Sequence, residues 1–213
     1  MRPPDDWRRA RVTLWIAGIT TAVWVLVSGL GLDAAATDAG SFVPSRINEA
    51  SGVEKIALGL LTPLSAALLH AGFAHLLFNM LFLLFCGRSV ELIIGARQFV
   101  LLYLGGAYAA AVAHYLIYWG DPVGGIGASG AISAVIGAYS LLFGRNRVKV
   151  ANPQLALLLN ALWLAVTWVV LQFIIGLVSS MTREPISAAA HIGGFVAGLL
   201  LAKPLLLLRY RGA

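Results

Sequence analysis

The chain has 213 residues, 60% of them hydrophobic and only 11% charged, with a mean hydropathy of +0.87. These values exclude a soluble domain and describe a polytopic membrane protein of the all-α class. The net charge of +6 would suit a nucleic-acid partner, but its placement along the chain makes it a topology signal instead, so nucleic acid is not expected as a partner and the lipid bilayer is.

Six apolar runs follow one another, at about 12–32, 66–87, 98–119, 126–143, 154–178 and 187–208. With both termini on one side, that side holds Arg2, Arg8, Arg9, Arg11, Arg88, Arg97, Arg145, Arg147, Lys149, Lys203, Arg209 and Arg211. Of the 15 basic residues only Arg46, Lys55 and Arg183 fall opposite. The positive-inside rule therefore places both termini in the cytoplasm. The expected organisation is a cytoplasmic tail over 1–11, one six-helix membrane domain over 12–208 and a cytoplasmic tail over 209–213. The sole cysteine, Cys86, cannot form an internal disulfide, and oligomeric state leaves no mark in the sequence.

The first run, Val12–Leu32, is about 20 residues long, beyond the 7–15 of a signal-peptide core, and is expected to be a retained helix. It carries Trp15 and Trp24 and few polar groups, as scaffold would. Residues 33–55 form the longest loop, and Pro63 should split the apolar stretch that follows it, with a helix starting near Ser65. That second helix contains His70, His75 and Asn79. His75 and Asn79 are four apart and share a face, whereas His70 lies well round the cylinder. Polar groups within a span face a cavity or one another, so His75 and Asn79 read either as cavity residues or as interhelical hydrogen-bond glue. Gly87 to Arg97 is expected to be a short cytoplasmic turn. The third helix ends near His114, read as a packing or interfacial histidine closed by Trp119.

Asp121-Pro122 turns the chain, and Gly124-Gly125-Ile126-Gly127 leads into Ala128-Ser129-Gly130. Arg145 comes 16 residues after Ser129, roughly 24 Å of helix, short of the ~30 Å hydrocarbon core. Helix four is therefore short, Ser129 lies below one membrane surface, and the glycines before it descend as non-helical backbone. Such backbone is tolerated only when buried in protein or lining a wet cavity. A serine there is either a nucleophile beside backbone N–H groups or one small residue among others that let helices pack closely. Asn160, Trp163, Thr167, Trp168 and Gln172 in the fifth run read as packing or belt residues. In the sixth, Gly194, Gly198 and Ala202 at four-residue spacing form a smooth face, with His191 one turn earlier. His191 precedes Arg209 by 18 residues, about 27 Å, which brings it level with Ser129.

A serine is activated when a histidine accepts its proton, and a carboxylate commonly orients that histidine. Here the nine acids, Asp5, Asp6, Asp33, Asp38, Glu49, Glu54, Glu91, Asp121 and Glu184, all fall outside or at the rim of the apolar runs. The economical reading is a Ser129–His191 dyad, with close packing along Gly194 and Gly198 holding the imidazole. The Ser129 N–H, His75 and Asn79 are the candidates for stabilising an oxyanion.

These residues resemble a known family. Gly127-Ala-Ser129-Gly130 is similar to the rhomboid GxSG motif, Ala190-His191-x-x-Gly194-x-x-x-Gly198 to its AHxxGxxxG helix, and His70-x4-His75-x3-Asn79 to its second-helix motif. Glu91-x3-Gly95 follows the family pattern too. The match covers about residues 55–205, with the motifs in order on helices two, four and six. The resemblance implies a rhomboid-like bundle of the basic six-helix bacterial type, in the inner membrane. It implies an intramembrane serine protease without a cofactor, with Ser129 as nucleophile, His191 as base, and His75 and Asn79 in the oxyanion hole. Its substrates would be single-span or other transmembrane proteins. The chain departs from the family in lacking a Trp-Arg pair in its first outer loop, and in having Ser133 where an aromatic often stacks on the histidine. Two other classes compete: an inactive rhomboid-like factor that binds and recruits membrane proteins, and a small transporter. The transporter predicts charges along the spans or an inverted repeat, and neither is present.

Overall fold

A computed structural model describes residues 7–143, 152–153, 155–156, 159–160, 162–170 and 187–211. Among these the chain is helical, and its extended backbone pairs only at one antiparallel bridge, Phe42 with Gly125. In chain order the helices are α1 (Arg11–Gly29), α2 (Asp33–Gly40), α3 (Pro44–Glu49), α4 (Gly52–Ala66), α5 (Phe73–Ile94), α6 (Ala96–Ile117), α7 (Ser129–Phe143) and α8 (Ala188–Arg209). Four of them, α1, α5, α6 and α8, are long and apolar enough to cross a membrane. The fifth apolar run lies partly outside the described residues, with 162–170 seen as helix; Gln172, Arg183, Glu184 and the basic group Arg145, Arg147 and Lys149 also lie outside them.

The bundle is apolar on its outside. Trp15, Leu26, Leu116 and Leu200 are 61–70% exposed, an arrangement that suits hydrocarbon as solvent and not water. At its centre stands α7, whose residues Gly130 to Val135, Gly137 and Ala138 are buried. Its 15 residues span about 22 Å, too few for a ~30 Å core, as expected of a short fourth helix. Small residues let its neighbours touch its backbone. A Cβ added at Gly198 of α8 would collide with the carbonyl oxygen of Ala134, and one at Gly106 of α6 with the Ala134 methyl. Without a hydrophobic drive between helices in lipid, such close van der Waals contact is the main source of cohesion.

Several expectations are corrected. The stretch 33–55 is not a bare loop, because Pro44 starts α3 at its first turn, where its missing N–H costs nothing, and Asp33 sits at the positive end of α2. Pro63 does not split its helix: α4 runs through it, and the side chains of Thr62 and Ser65 donate to the carbonyls of Leu58 and Gly40. The break falls instead at 67–72, so the next helix starts at Phe73, and His70 precedes it.

Gly87 to Ile94 is not a turn. The helix passes through a π-turn at Leu83–Gly87 and continues to Ile94, and the chain reverses only at Gly95, whose φ of +91° is left-handed. Glu91 is consequently buried within the protein, 2% exposed. Its carboxylate accepts from the backbone N–H of Val12 and Thr13 and from Thr13 Oγ1 at 2.7–3.0 Å, satisfying the free donors at the start of α1.

Candidate active site

The segment Asp121–Ala128 carries no regular structure, yet several of its backbone donors are paired. Val123 N–H donates to its own turn at Asp121 Oδ1 (2.8 Å), and Gly125 N–H to Phe42 O (2.9 Å). Gly127 N–H reaches Ala66 O (2.8 Å), and Ala128 N–H reaches His70 Nε2 (3.5 Å). Phe42 N–H and Ser45 N–H donate back to Gly125 O and Asp121 O, at 3.0 and 3.1 Å. Backbone inside an apolar bundle must be satisfied in this way, and the result fixes the approach to Ser129 from the α2–α3 side and from the end of α4.

Gly127 has a φ of +117°, open to glycine alone at low cost. A Cβ there would also lie 2.7 and 2.8 Å from Cε1 and Nε2 of His75. Glycine thus lets the His75 ring rest on the backbone two residues before Ser129. His70 packs edge-on against His75, 4.9 Å between ring centroids.

Ser129 is the first residue of α7, where N–H groups are not used by the helix. His191 lies in the first turn of α8, which Ser187 caps by accepting Ala190 N–H at 3.2 Å. The two meet: Ser129 Oγ and His191 Nε2 are 2.7 Å apart. Close helix contact sets that distance. A Cβ added at Gly194 would strike the carbonyl oxygen of Gly130, and one at Gly130 would lie 2.5 Å from the Ala110 methyl. Gly130, Gly194 and Gly198 therefore let α6, α7 and α8 converge on the same few residues. Trp168 Nε1–H donates to His191 O (3.2 Å), and its indole stacks on Phe195, 4.9 Å between centroids.

Asn79 is buried, but its recorded hydrogen bond runs from Nδ2 to the carbonyl of His75 (2.9 Å), within its own helix. A side-chain amide has two N–H donors, so this bond leaves one for other work. Ser133, in place of an aromatic, donates from Oγ to Ser129 O (2.7 Å). Of the acids, Glu91 is committed to α1, Asp121 to its turn, and Glu184 lies outside the described residues. His114, read from sequence as a histidine closed by Trp119, instead places Nδ1 2.7 Å from Ser187 Oγ, while Trp119 packs on Tyr115. Ser187 is not among the sequence candidates, although a serine immediately before a helix is a capping signal.

The chain is similar to known proteins. A family model described as "Rhomboid domain" matches residues 58–208. The chain is 34% identical over 146 residues to "Rhomboid protease GluP" of Bacillus subtilis (strain 168), a match covering 68% of this chain and 25% of that protein. It is 30% identical over 143 residues to "Putative rhomboid protease YdcA" of the same organism, covering 67% of this chain and 64% of that one. "RHOMBOID-like protein 4" of Arabidopsis thaliana is 32% identical over 150 residues, covering 70% of this chain and 35% of its own length. The chain thus spans a quarter and just under two thirds of the two Bacillus relatives.

Proposed function

The chain belongs to the rhomboid family, and from that membership we propose that it is an intramembrane serine endopeptidase working through a Ser129–His191 dyad. The observation that carries this reading is the 2.7 Å contact between Ser129 Oγ and His191 Nε2, half-buried at the start of two helices. Ser129 Oγ attacks a substrate carbonyl while His191 Nε2 takes its proton. His191 returns that proton to the departing amine, leaving an acyl-serine. Water, deprotonated by His191, then releases the new carboxylate and restores the hydroxyl. The negative oxygen formed at each addition is held by the Ser129 N–H, His75 and Asn79.

The scheme asks for no third, acidic member. Helix contact at Gly194 and Gly198 and the Trp168 bond to the His191 carbonyl hold α8 instead. No step needs a cofactor. Substrates are transmembrane segments of single-span or other membrane proteins, taken from the bilayer. With both termini cytoplasmic, Ser129 faces the outer leaflet, and cleavage falls near the outer end of the substrate helix. A recruitment factor without activity has no use for a bonded serine–histidine pair, which favours the protease.

A fluorophosphonate probe tests the chemistry without a substrate. It should add to Ser129, identified by peptide mass, and His191→Ala should abolish the adduct. Labelling elsewhere, or labelling indifferent to His191, would refute the dyad.

A further inference from the structure

We propose that His114, at the end of α6, is a positioning residue of the site: it clamps, at once, the two segments that deliver Ser129 and His191. The inference rests on the dyad reading above and adds to it the means by which the pair is held in register.

His114 is 92% buried, at 8% exposure, bonds one arm and faces the other. Its Nδ1 lies 2.7 Å from Ser187 Oγ, four residues before His191. Ser187 in turn accepts Ala190 N–H with that same oxygen (3.2 Å) and His191 N–H with its carbonyl (3.2 Å). A hydroxyl can accept and share a proton with an imidazole nitrogen together, so His114 fixes the rotamer that caps the first turn of α8. On its other side, a Cβ built on Gly125 would lie 3.9 Å from both Cε1 and Nε2 of His114. Gly125 is four residues before Ser129 and is paired in both directions with Phe42, whose ring meets His114 edge-on at 6.1 Å. Tyr118 closes the ring from below, at 4.9 Å between centroids.

The ring is therefore a shared wall between the cap of the base's helix and the descent to the nucleophile. General-base transfer is sensitive to such placement, because a shift of about 1 Å in reacting groups can cost on the order of a hundredfold in rate. A purely structural role fits less well. Among the described residues His114 Nε2 has no hydrogen-bond partner, and a buried polar atom without one is a cost that phenylalanine would avoid.

The test compares wild type, His114→Phe, His114→Gln, Ser187→Ala and the double variant His114→Phe/Ser187→Ala on a single-span substrate in detergent, with Ser129→Ala as control. His114→Phe should keep the thermal midpoint and lower kcat by about ten- to a hundredfold, with KM changed by less than about twofold. His114→Gln, whose amide can still bond Ser187, should recover most of the rate. The double variant should be no slower than the worse single one, as for residues acting through one contact. Ser129-dependent turnover that is unchanged in His114→Phe, or a loss that follows melting and is not rescued by glutamine, overturns this inference alone. Should His114→Phe fail to fold, an unchanged kcat in Ser187→Ala overturns it equally. Turnover that survives in Ser129→Ala removes the dyad, and this inference with it.

Discussion

Gly198 of α8 lies so close to the backbone of Ala134 in α7 that a Cβ on it would occupy the space of the Ala134 carbonyl oxygen. The contact falls two turns beyond His191, so it sets the spacing of the two helices that carry the dyad. Gly198→Val must push them apart. Overpacking of a tight interior typically costs about 1–3 kcal/mol, and the expected result is a lower thermal midpoint together with a lower kcat. A variant as stable and as fast as wild type would show that helix separation does not govern the site.

Asn79→Ala should depress kcat more than it raises KM, because its proposed role is felt only as the oxyanion forms. Removal of a single donor commonly costs about 10²–10³ in rate. The bond from Asn79 Nδ2 to His75 O supplies the competing expectation of a helix-internal role. In that case turnover would stay constant in the folded variant.

Replacing Glu91 separates stability from catalysis. Its carboxylate accepts three hydrogen bonds from Val12 and Thr13, and losing bonds to a buried charged acceptor costs about 1–3 kcal/mol each. Glu91→Ala should therefore melt well below wild type, while the protein that remains folded keeps its kcat. Asp121→Asn and Glu184→Gln should leave most activity in place. A fall in kcat matching that of His191→Ala in any of these would identify an acid as part of the catalytic group.

The sequence located the apolar runs well, because a bundle in lipid needs near-continuous hydrophobic segments. Counting residues from Arg145 and Arg209 also brings Ser129 level with His191, and the two side chains meet at 2.7 Å. Breaks and turns were less legible. Pro63 reads as a helix end, yet α4 runs through it, whereas the true break near Gly72 has weaker local chemistry. The stretch around Glu91 reads as a turn because a π-turn that continues the helix past Gly87 has no sequence signature. His114 and Ser187 are 73 residues apart, and their pairing depends on how α6 and α8 pack, which no local pattern reports.

Membrane orientation can be tested without catalysis. In a Cys86→Ser background, cysteine introduced at Asp38 should react with an impermeant thiol reagent on intact cells, and cysteine at Arg147 only after lysis. The opposite pattern would invert the topology and put Ser129 in the other leaflet.

Site selection should follow helix weakness. An intact substrate helix hides its carbonyls in hydrogen bonds, so cleavage is expected near glycine or proline, where unwinding costs least. The His75 ring packed on Gly127 leaves little room before the scissile bond, so a small residue such as alanine should precede it. Leucine in place of the helix-weakening residues, or phenylalanine in place of the small one, should each slow or shift the cut. Unaltered products formed at an undiminished rate from both substrates would contradict local unwinding and a tight pocket.

The central claim is that Ser129 and His191 together hydrolyse a peptide bond within the membrane. Purified wild type, Ser129→Ala and His191→Ala are mixed with a single-span substrate, and the products are weighed by mass spectrometry. Wild type should yield two fragments whose masses sum to the substrate plus one water, with the cut near one end of the transmembrane segment, and neither variant should yield them. Fragments produced by Ser129→Ala at the wild-type rate, or none produced by a folded wild type across a panel of single-span substrates, would contradict it.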